Sequence, residues 1–165
     1  MEINLLSVLN YDGKRIDVSE DVSISAASND NFTVLSPVHF EGYVVNVGGT
    51  IELCGSASAT VSLTCDRCAE DFSFALDFEI KESYKKDDGF TNVDEDSDVV
   101  LLEGSAIDLD ELLYTGIIIN LPSKALCSED CKGLCPVCGK NLNHGECSCE
   151  NEKTDPRFDI LDKLL

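Results

Sequence analysis

Apolar and polar residues alternate strictly between Ile51 and Cys65. One parity is apolar or small, and the other is mostly polar. A period of two is typical of a β-strand with one buried face. Because the run is long and its centre is made of small residues, a bend or bulge is expected near Gly55. The residues predicted to face inward are Ile51, Leu53, Gly55, Ala57, Ala59, Val61, Leu63 and Cys65.

A second alternating run follows the tetrapeptide CDRC, with its phase changed. Its inward residues are Phe72, Phe74, Leu76, Phe78 and Ile80. Two such runs joined by a short turn predict an antiparallel hairpin. The earlier run VHFEGYVVNV is expected to pair with the first run across a turn at Gly48–Gly49. The centre of the protein is therefore predicted to be an antiparallel sheet.

Two later segments have helical spacing. In IDLDELLYTGIIINLP, Asp108 is a predicted N-cap with Glu111 three residues on, and Pro122 ends the element. The β-branched run 117–119 leaves a strand as the alternative. In TDPRFDILDKLL, Asp155 is the predicted cap and Pro156 the first helical residue. The apolar positions on these helices are Leu109, Leu112, Leu113 and Ile117 in the first, and Ile160, Leu161 and Leu164 in the second.

These patterns predict an α+β fold, in which an antiparallel β-sheet is joined by a few helices and a cysteine-rich C-terminal segment. We expect one domain over residues 1–165. Its successive parts are a β-rich part (1–84), an exposed acidic loop (85–98), a helix-containing segment (99–126), the cysteine-rich segment (127–150) and a C-terminal helix (151–165).

Composition narrows the cellular setting and the class of partner. No apolar run reaches the length of a membrane span, and the N-terminus lacks the pattern of a secretory signal. A reducing cytoplasm is therefore expected, where nine cysteines favour metal binding over disulfides. The formal charge of −20 disfavours direct binding to a phosphate backbone and favours a partner with a basic surface.

The segment CPVCGK has the form of a zinc knuckle. Cys135 and Cys138 are spaced to grip one ion, and a glycine follows that can adopt a positive φ. Downstream, Cys147 and Cys149 complete a C-x2-C-x8-C-x-C set. We expect these four thiolates to form a tetrahedral structural zinc site, the first of the chain.

A second zinc site is the hypothesis for four of the remaining thiols. Cys65 and Cys68 lie where the two alternating runs meet, and Cys127 and Cys131 begin the cysteine-rich segment. One ion shared by these half-sites would staple the hairpin turn to that segment. The alternative is that Cys65 is a small buried apolar residue. Cys54 has no predicted role.

Other chemistries fit less well. A redox C-x-x-C belongs at a strand-to-helix junction, whereas CDRC lies between two strand patterns. Cys131, Cys135 and Cys138 have a C-x3-C-x2-C spacing that also occurs in iron–sulfur proteins, so an iron–sulfur centre stays an alternative. His144 is expected to be a solvated loop residue rather than a ligand, and His39 to be structural. Since no nucleophilic triad or phosphate-binding loop stands out, a non-enzymatic role is favoured.

Together these motifs resemble the bacterial YceD family, named for large ribosomal RNA subunit accumulation. The likeness runs from about Val38 to the C-terminus and is greatest for the cysteine-rich members. Other members lack the C-terminal cysteines, which implies that the metal stabilises the protein. The matching positions are Cys65, Arg67 and Cys68, then Cys127, Cys131, Gly133, Leu134, Cys135, Pro136, Cys138, Gly139, Asn141, Leu142 and Asn143, and finally Asp155, Pro156 and Arg157.

The resemblance implies a ribosome-biogenesis factor without enzymatic activity. Its expected partner is a ribosomal protein or a large-subunit precursor particle, and no membrane partner is expected. Arg67, Asn141, Asn143, Asp155 and Arg157 are the binding residues that the resemblance implies. The alternatives are a thiol redox or metal-sensing protein and a zinc-dependent RNA-binding module. In the RNA-binding alternative the phosphate contacts would be Lys132, Lys140, Arg157 and Lys163.

Overall fold

A computed structural model describes residues 1–24, 28–29, 32–86, 99–102 and 104–149. The contacts divide the chain into two compact units. The first contains residues 1–63 and 72–123, and the second contains 64–71 and the chain from 124 onward. The strands are β1 (Glu2–Asn4), β2 (Arg15–Val22), β3 (Ser28–Asn29), β4 (Phe32–Val34), β5 (Val38–Val47), β6 (Thr50–Thr64), β7 (Asp71–Lys86), β8 (Val99–Leu102) and β9 (Ala106–Asp108), and the helices are α1 (Leu6–Leu9) and α2 (Leu109–Asn120).

The main sheet of the first unit confirms the predicted α+β class and the alternation. β5 pairs antiparallel with β2 on one side and with β6 on the other. β4 joins β3 to the far end of β6, and β7 pairs with β6. Because the connection from β6 to β7 is too short for a parallel crossover, this pair is the predicted hairpin. One pair, β7 with β8, is parallel and was not predicted.

A bend or bulge is expected near Gly55, and the structure shows that no bulge is present. The β5–β6 register runs without interruption from Val47↔Thr50 to His39↔Ser58. The small residues instead make room for the fully buried ring of Phe40. A Cβ on Gly55 would lie 2.7 Å from that ring, and a Cβ on the facing Gly42 would lie 2.8 Å from it. The glycine pair therefore serves packing over the ring rather than a break in the pairing.

Helix α2 begins and ends where the sequence predicts. The Asp108 carboxylate accepts a hydrogen bond from the Asp110 N–H at 3.0 Å, which caps the helix as expected. Leu109, Leu113 and Ile117 are fully buried. The 117–119 run is helical, so the strand alternative is wrong there.

At Gly116, α2 lies close to β7. A Cβ at this position would overlap the ring of Phe78, which is buried on the inward face of β7. We expect Gly116→Ala to destabilise the first unit by about 1–3 kcal/mol, because overpacking outweighs the gain of about 1 kcal/mol in helix propensity. Chemical denaturation would measure this, with the exposed Thr115→Ala on the same helix as the control. A Gly116→Ala protein as stable as the parent would show that the close approach carries no energetic weight.

The N-terminal residues are tied to the sheet by a buried amide. Asn46 is 3% exposed, and its side-chain nitrogen donates to the carbonyl of Val8 at 2.9 Å. Its side-chain oxygen accepts from the Gly49 N–H at 2.9 Å in the turn that joins β5 to β6. The end of α1 and this turn are thereby held together.

The predicted acidic loop and C-terminal helix overlap only partly, or not at all, with the described residues. β7 continues through Lys86, so the first two residues of the predicted acidic loop lie in a strand. Residues 87–98 and the predicted C-terminal helix (151–165) lie outside the described residues. The single domain over 1–165 stays a prediction. No helix in the described ranges combines the length and apolar character needed to span a membrane.

Candidate metal centres

The second unit contains two turns with the same backbone hydrogen bonds. In CDRCA, the Ala69 N–H donates to the carbonyl of Cys65 at 2.9 Å. In CPVCG, the Gly139 N–H donates to the carbonyl of Cys135 at 2.9 Å. In each turn the N–H of the first cysteine then donates to the carbonyl five residues on, again at 2.9 Å. The two C-x-x-C segments are therefore two copies of one knuckle.

The residue after each second cysteine adopts a positive φ, which is +73° at Gly139 and +57° at Ala69. Glycine adopts this conformation without strain, whereas an alanine there carries a steric cost of about 1–2 kcal/mol. The matched geometry identifies CDRCA as a knuckle despite its missing glycine. The glycine after Cys138 is evident in the sequence, whereas nothing in the sequence indicates the equivalent role of Ala69.

This difference between the knuckles gives a paired prediction. We expect Ala69→Gly to stabilise the second unit by about 0.5–1 kcal/mol, since relief of strain exceeds the entropy that glycine adds to the unfolded chain. Gly139→Ala is expected to destabilise it by about 1–2 kcal/mol. Hydrogen exchange of amides in residues 64–71 and 124–149 would measure both. Loss of stability in Ala69→Gly would contradict the shared knuckle geometry.

The first cluster brings together Cys65, Cys68, Cys127 and Cys131. Their sulfur atoms all lie within 4.8 Å of one another, with 3.9 Å between Cys65 and Cys131 and 3.7 Å between Cys68 and Cys127. Four sulfurs held about 2.3 Å from one tetrahedral ion would be about 3.8 Å apart. The spacing thus fits a single ion.

Hydrogen bonds to backbone groups hold the two halves of the first cluster together. The Asp66 N–H donates to the carbonyl of Ala125 at 2.8 Å, and the Asp66 carboxylate accepts from the Ala125 N–H at 2.7 Å. The Arg67 guanidinium donates to the carbonyls of Glu129 and Cys131, both at 3.0 Å. The Arg67 side chain thus connects the first knuckle to the chain segment that contains Cys131.

Gly133 shows how closely the cysteine-rich segment approaches the first knuckle. Its φ is +73°, and a Cβ there would lie 3.0 Å from the carbonyl oxygen of Arg67. The Leu134 N–H donates to that same oxygen at 3.0 Å. Glycine at 133 is therefore required both by its backbone conformation and by the lack of space.

The second cluster brings together Cys135, Cys138, Cys147 and Cys149, again within 4.8 Å. Cys135 is buried, Cys138 is exposed, and the other two are intermediate. The Val137 N–H donates to the Cys135 sulfur at 3.4 Å. The structure therefore groups the eight thiols into the two sets of four that the spacing predicted.

Hydrogen bonds lower the pKa of one thiol in each knuckle. The backbone N–H of Cys127 lowers the pKa of Cys65 to about 6. The backbone N–H of Cys138 does the same for Cys135, whose pKa is also about 6. An N–H that points at sulfur stabilises the thiolate, which is the form that binds metal.

Other thiols of the same clusters are shifted in the opposite direction. The hydrogen bond between Cys127 and Cys131 raises the pKa of Cys127 to about 12. The bond between Cys149 and Cys138 raises the pKa of Cys149 to about 12. Several thiolates this close repel one another, so full deprotonation requires a compensating cation. Each cluster would therefore be stabilised in its deprotonated form by a bound cation.

The two asparagines implied by the resemblance lie in the loop of the second cluster. The Asn143 amide nitrogen donates to the Cys131 sulfur at 3.2 Å, and this bond is the largest cause of the lowered pKa of Cys131. The Asn141 side-chain oxygen accepts from the Asn143 N–H at 2.9 Å. Asp155 and Arg157 lie outside the described residues.

The remaining candidates lie away from the ligand sets. His144 contacts the carboxylate of Glu70 at 2.7 Å and is exposed, as expected for a loop residue. His39 pairs with Asp21 at 2.8 Å on the sheet. Cys54 lies in β6 opposite Tyr43, outside both clusters.

Of the four cations considered for RNA contact, only Lys132 and Lys140 lie in described residues, and these two alone do not make a basic patch. Lys140 donates from Nζ to the carbonyl of Glu146 at 2.7 Å, within its own loop. Lys132 is exposed, and Arg157 and Lys163 lie outside the described residues.

The geometry limits the chemistry of both clusters. All nine cysteines lie in described residues and are free, and in the first cluster sulfurs 3.7–3.9 Å apart are well beyond the roughly 2.05 Å of a disulfide. A polynuclear iron–sulfur cluster would place several atoms between the thiolates and hold them farther apart. Two sets of four thiols at this spacing could each hold a single metal ion.

The chain belongs to the YceD family. The family model, described as large ribosomal RNA subunit accumulation protein YceD, matches residues 53–165. The match includes every cysteine of both clusters, and it confirms the resemblance drawn from the motifs. The family name describes accumulation of RNA rather than a catalysed reaction.

Relatives occur in bacteria and in a plant. An uncharacterized protein of Mycobacterium tuberculosis is 28% identical over 74% of this chain, which covers 59% of that protein. YlbN of Bacillus subtilis, also uncharacterized, is 27% identical over the whole chain and 84% of its own length. The chloroplastic YCED homolog 1 of Arabidopsis thaliana, named for large ribosomal RNA subunit accumulation, is 27% identical over 78% of the chain and 49% of its own length.

This chain therefore spans about three fifths of the length of the mycobacterial relatives and about half of the plant one. No solved structure matches it significantly.

Proposed function

We propose that this chain is a non-enzymatic ribosome-biogenesis factor that supports the accumulation of large-subunit ribosomal RNA in the cytoplasm. It acts as a zinc-stabilised acidic binding domain for a basic partner, either a ribosomal protein or a large-subunit precursor particle. Family membership supports the process, and the charge of one sheet surface supports the class of partner.

The proposal rests on one surface of the main sheet, which we call the acidic sheet surface. It consists of the outward side chains of β2, β5, β6 and β7, whose carboxylates are Asp17, Asp21, Glu41, Glu52, Asp77 and Glu79. The same surface also carries Lys81 and Arg15, of which Arg15 pairs with Asp17 at 2.7 Å, and the His39 ring contacts the Asp21 carboxylate at 2.8 Å. Glu41, Ser56 and Glu79 line a shallow hollow on this surface. An excess of carboxylates around a shallow surface favours a basic partner.

Zinc is the ion that fits both clusters best. Four thiolates in tetrahedral arrangement are the donor set of structural zinc, a closed-shell ion without redox chemistry. The residues that would hold it are the two sets of four cysteines, and bound zinc would supply cross-links between chain segments. Arg67 and the knuckle N–H groups would orient these thiolates and offset their charge.

The test is binding to individually purified ribosomal proteins, measured by fluorescence anisotropy at increasing salt. We expect at least one basic protein to bind, with an affinity that falls as salt screens the acidic surface. Glu41→Gln with Glu79→Gln should weaken this binding. Glu2→Gln with Glu111→Gln, which removes the same charge elsewhere in the first unit, should not.

Three outcomes would contradict the proposal. The first is failure of every basic ribosomal protein and of precursor particles to bind. The second is binding to large-subunit RNA alone that survives physiological salt, which would favour the RNA-binding alternative. The third is an equal effect of the two double variants, because it would mean that the sheet surface is not the binding surface.

A further inference from the structure

The loop between Cys138 and Cys147 belongs to the second cluster by sequence but contacts the first. Its Asn143 side chain donates from Nδ2 to the sulfur of Cys131 at 3.2 Å. The same side chain accepts from the Lys132 N–H through Oδ1 at 2.8 Å. One amide therefore touches both a ligand sulfur of the first cluster and the backbone beside it.

The loop reaches this position by doubling back on the chain that precedes it. The Leu142 N–H donates to the carbonyl of Gly133 at 2.9 Å, and Leu134 and Asn141 form an antiparallel bridge. The Cys135 N–H donates to the carbonyl of Lys140 at 2.9 Å within the second knuckle. Residues 133–135 and 140–142 thus form a short ladder that starts at a ligand of the second cluster and ends beside Asn143.

An ion in the second cluster would close this loop at both ends. Cys135 and Cys138 lie before the loop, and Cys147 and Cys149 lie after it. Without a shared ion, the position of Asn143 depends on the ladder, on the bonds that Asn143 makes with Lys132 and Asn141, and on the adjacent exposed contact between His144 and Glu70. With the ion, the loop has fewer conformations, so Asn143 is held where it can donate to Cys131.

We propose that Asn143 couples the two clusters, so that metal bound by Cys135, Cys138, Cys147 and Cys149 increases the affinity of the first cluster for its own ion. The coupling is reciprocal, because a change in one affinity requires an equal change in the other. Outer hydrogen-bond partners of metal ligands typically contribute 10- to 100-fold in affinity. Since Asn143 is exposed, we expect about ten-fold. The inference rests on the proposed metal binding and is independent of the ribosomal partner.

The experiment measures the Zn²⁺ affinity of the first cluster in the full chain by competition with a chelator of known affinity. Co²⁺ absorption independently reports how many of the four-thiolate sites are filled, and the variant without the second cluster assigns the signal of the first. Disabling the second cluster by Cys147→Ser with Cys149→Ser should lower the Zn²⁺ affinity of the first about ten-fold. Asn143→Ala should lower it by about the same factor, and combining these changes should have little additional effect.

Matched variants separate the side-chain contact from general damage to the loop. Asn143→Asp keeps the acceptor for the Lys132 N–H but loses the donor to Cys131, so it should be at least as harmful as Asn143→Ala. Lys140→Ala removes a contact internal to the loop and should leave the affinity of the first cluster unchanged.

The coupling would be overturned if the first cluster kept its affinity in Asn143→Ala or after loss of the second cluster. It would also be overturned if the two effects multiplied fully, because independent sites behave in that way. A chain that takes up neither Zn²⁺ nor Co²⁺ would instead contradict the metal binding in the proposed function. The two failures are thus distinguishable.

Discussion

Exhaustive chelation of metal is expected to unfold the second unit and to leave the sheet of the first unit folded. In the described part of the second unit, the buried side chains that count as apolar are all thiols. They belong to Cys65, Cys68, Cys131 and Cys135. Because residues 64–71 and 124–149 bury no aliphatic or aromatic side chain, we expect this part of the unit to draw its stability from cross-links. Structural zinc supplies about 10–16 kcal/mol of apparent binding free energy in small peptides at neutral pH.

Residue-resolved hydrogen exchange, before and after chelation, would measure this expectation. Amides of residues 64–71 and 124–149 should lose their protection. Amides of β5 and β6 should keep theirs, because Phe40, Val44, Ile51 and Leu53 form a core independent of the thiols. Protection retained throughout the second unit after complete metal removal would contradict a metal-dependent fold.

Cys131→Ser is expected to abolish tight metal binding at the first cluster and to destabilise the second unit by several kcal/mol. Cys131 is 5% exposed and lies among three further cysteine sulfurs. Its replacement would remove one of four metal ligands, and the negative charge of the remaining buried thiolates would not be fully neutralised. Loss of a metal site is among the few single changes that exceed 4–5 kcal/mol.

Cys54→Ser is the matched control for this variant. It makes the same chemical change at a thiol outside both clusters, and should alter stability by about 0.5 kcal/mol or less. Metal content and chemical denaturation of the two variants would be compared side by side. An equal loss of metal in both would mean that the cysteines do not divide into the observed clusters.

The sheet could be predicted because its strands carry clear alternation. Inward and outward parities separated cleanly from Ile51 to Ile80, and the glycine pair at 48–49 marked the turn. β8 was not predicted, because its four successive apolar residues show no alternation. Its parallel pairing with β7 depends on where the chain returns in the folded structure, which the local sequence does not reveal. Gly55 was misinterpreted because a bulge and an aromatic neighbour give the same local signal, a small residue within a strand.

The grouping of eight thiols into two clusters could be predicted from the sequence. Spacing alone grouped Cys135, Cys138, Cys147 and Cys149, and the four cysteines of the other set then followed as two leftover half-sites. The role of Asn143 could not be seen, because it depends on a loop that doubles back toward Cys131. Ala69 was missed because only a backbone angle reveals that it occupies the glycine position of a knuckle.

The metal content of the purified full chain, determined by native mass spectrometry, tests the central claim most directly. The two clusters of four free thiols predict two Zn²⁺ ions per chain, bound by a colourless protein. A folded chain that carries no metal, or one that is coloured and contains iron in place of zinc, would contradict the claim that these cysteines are structural zinc ligands.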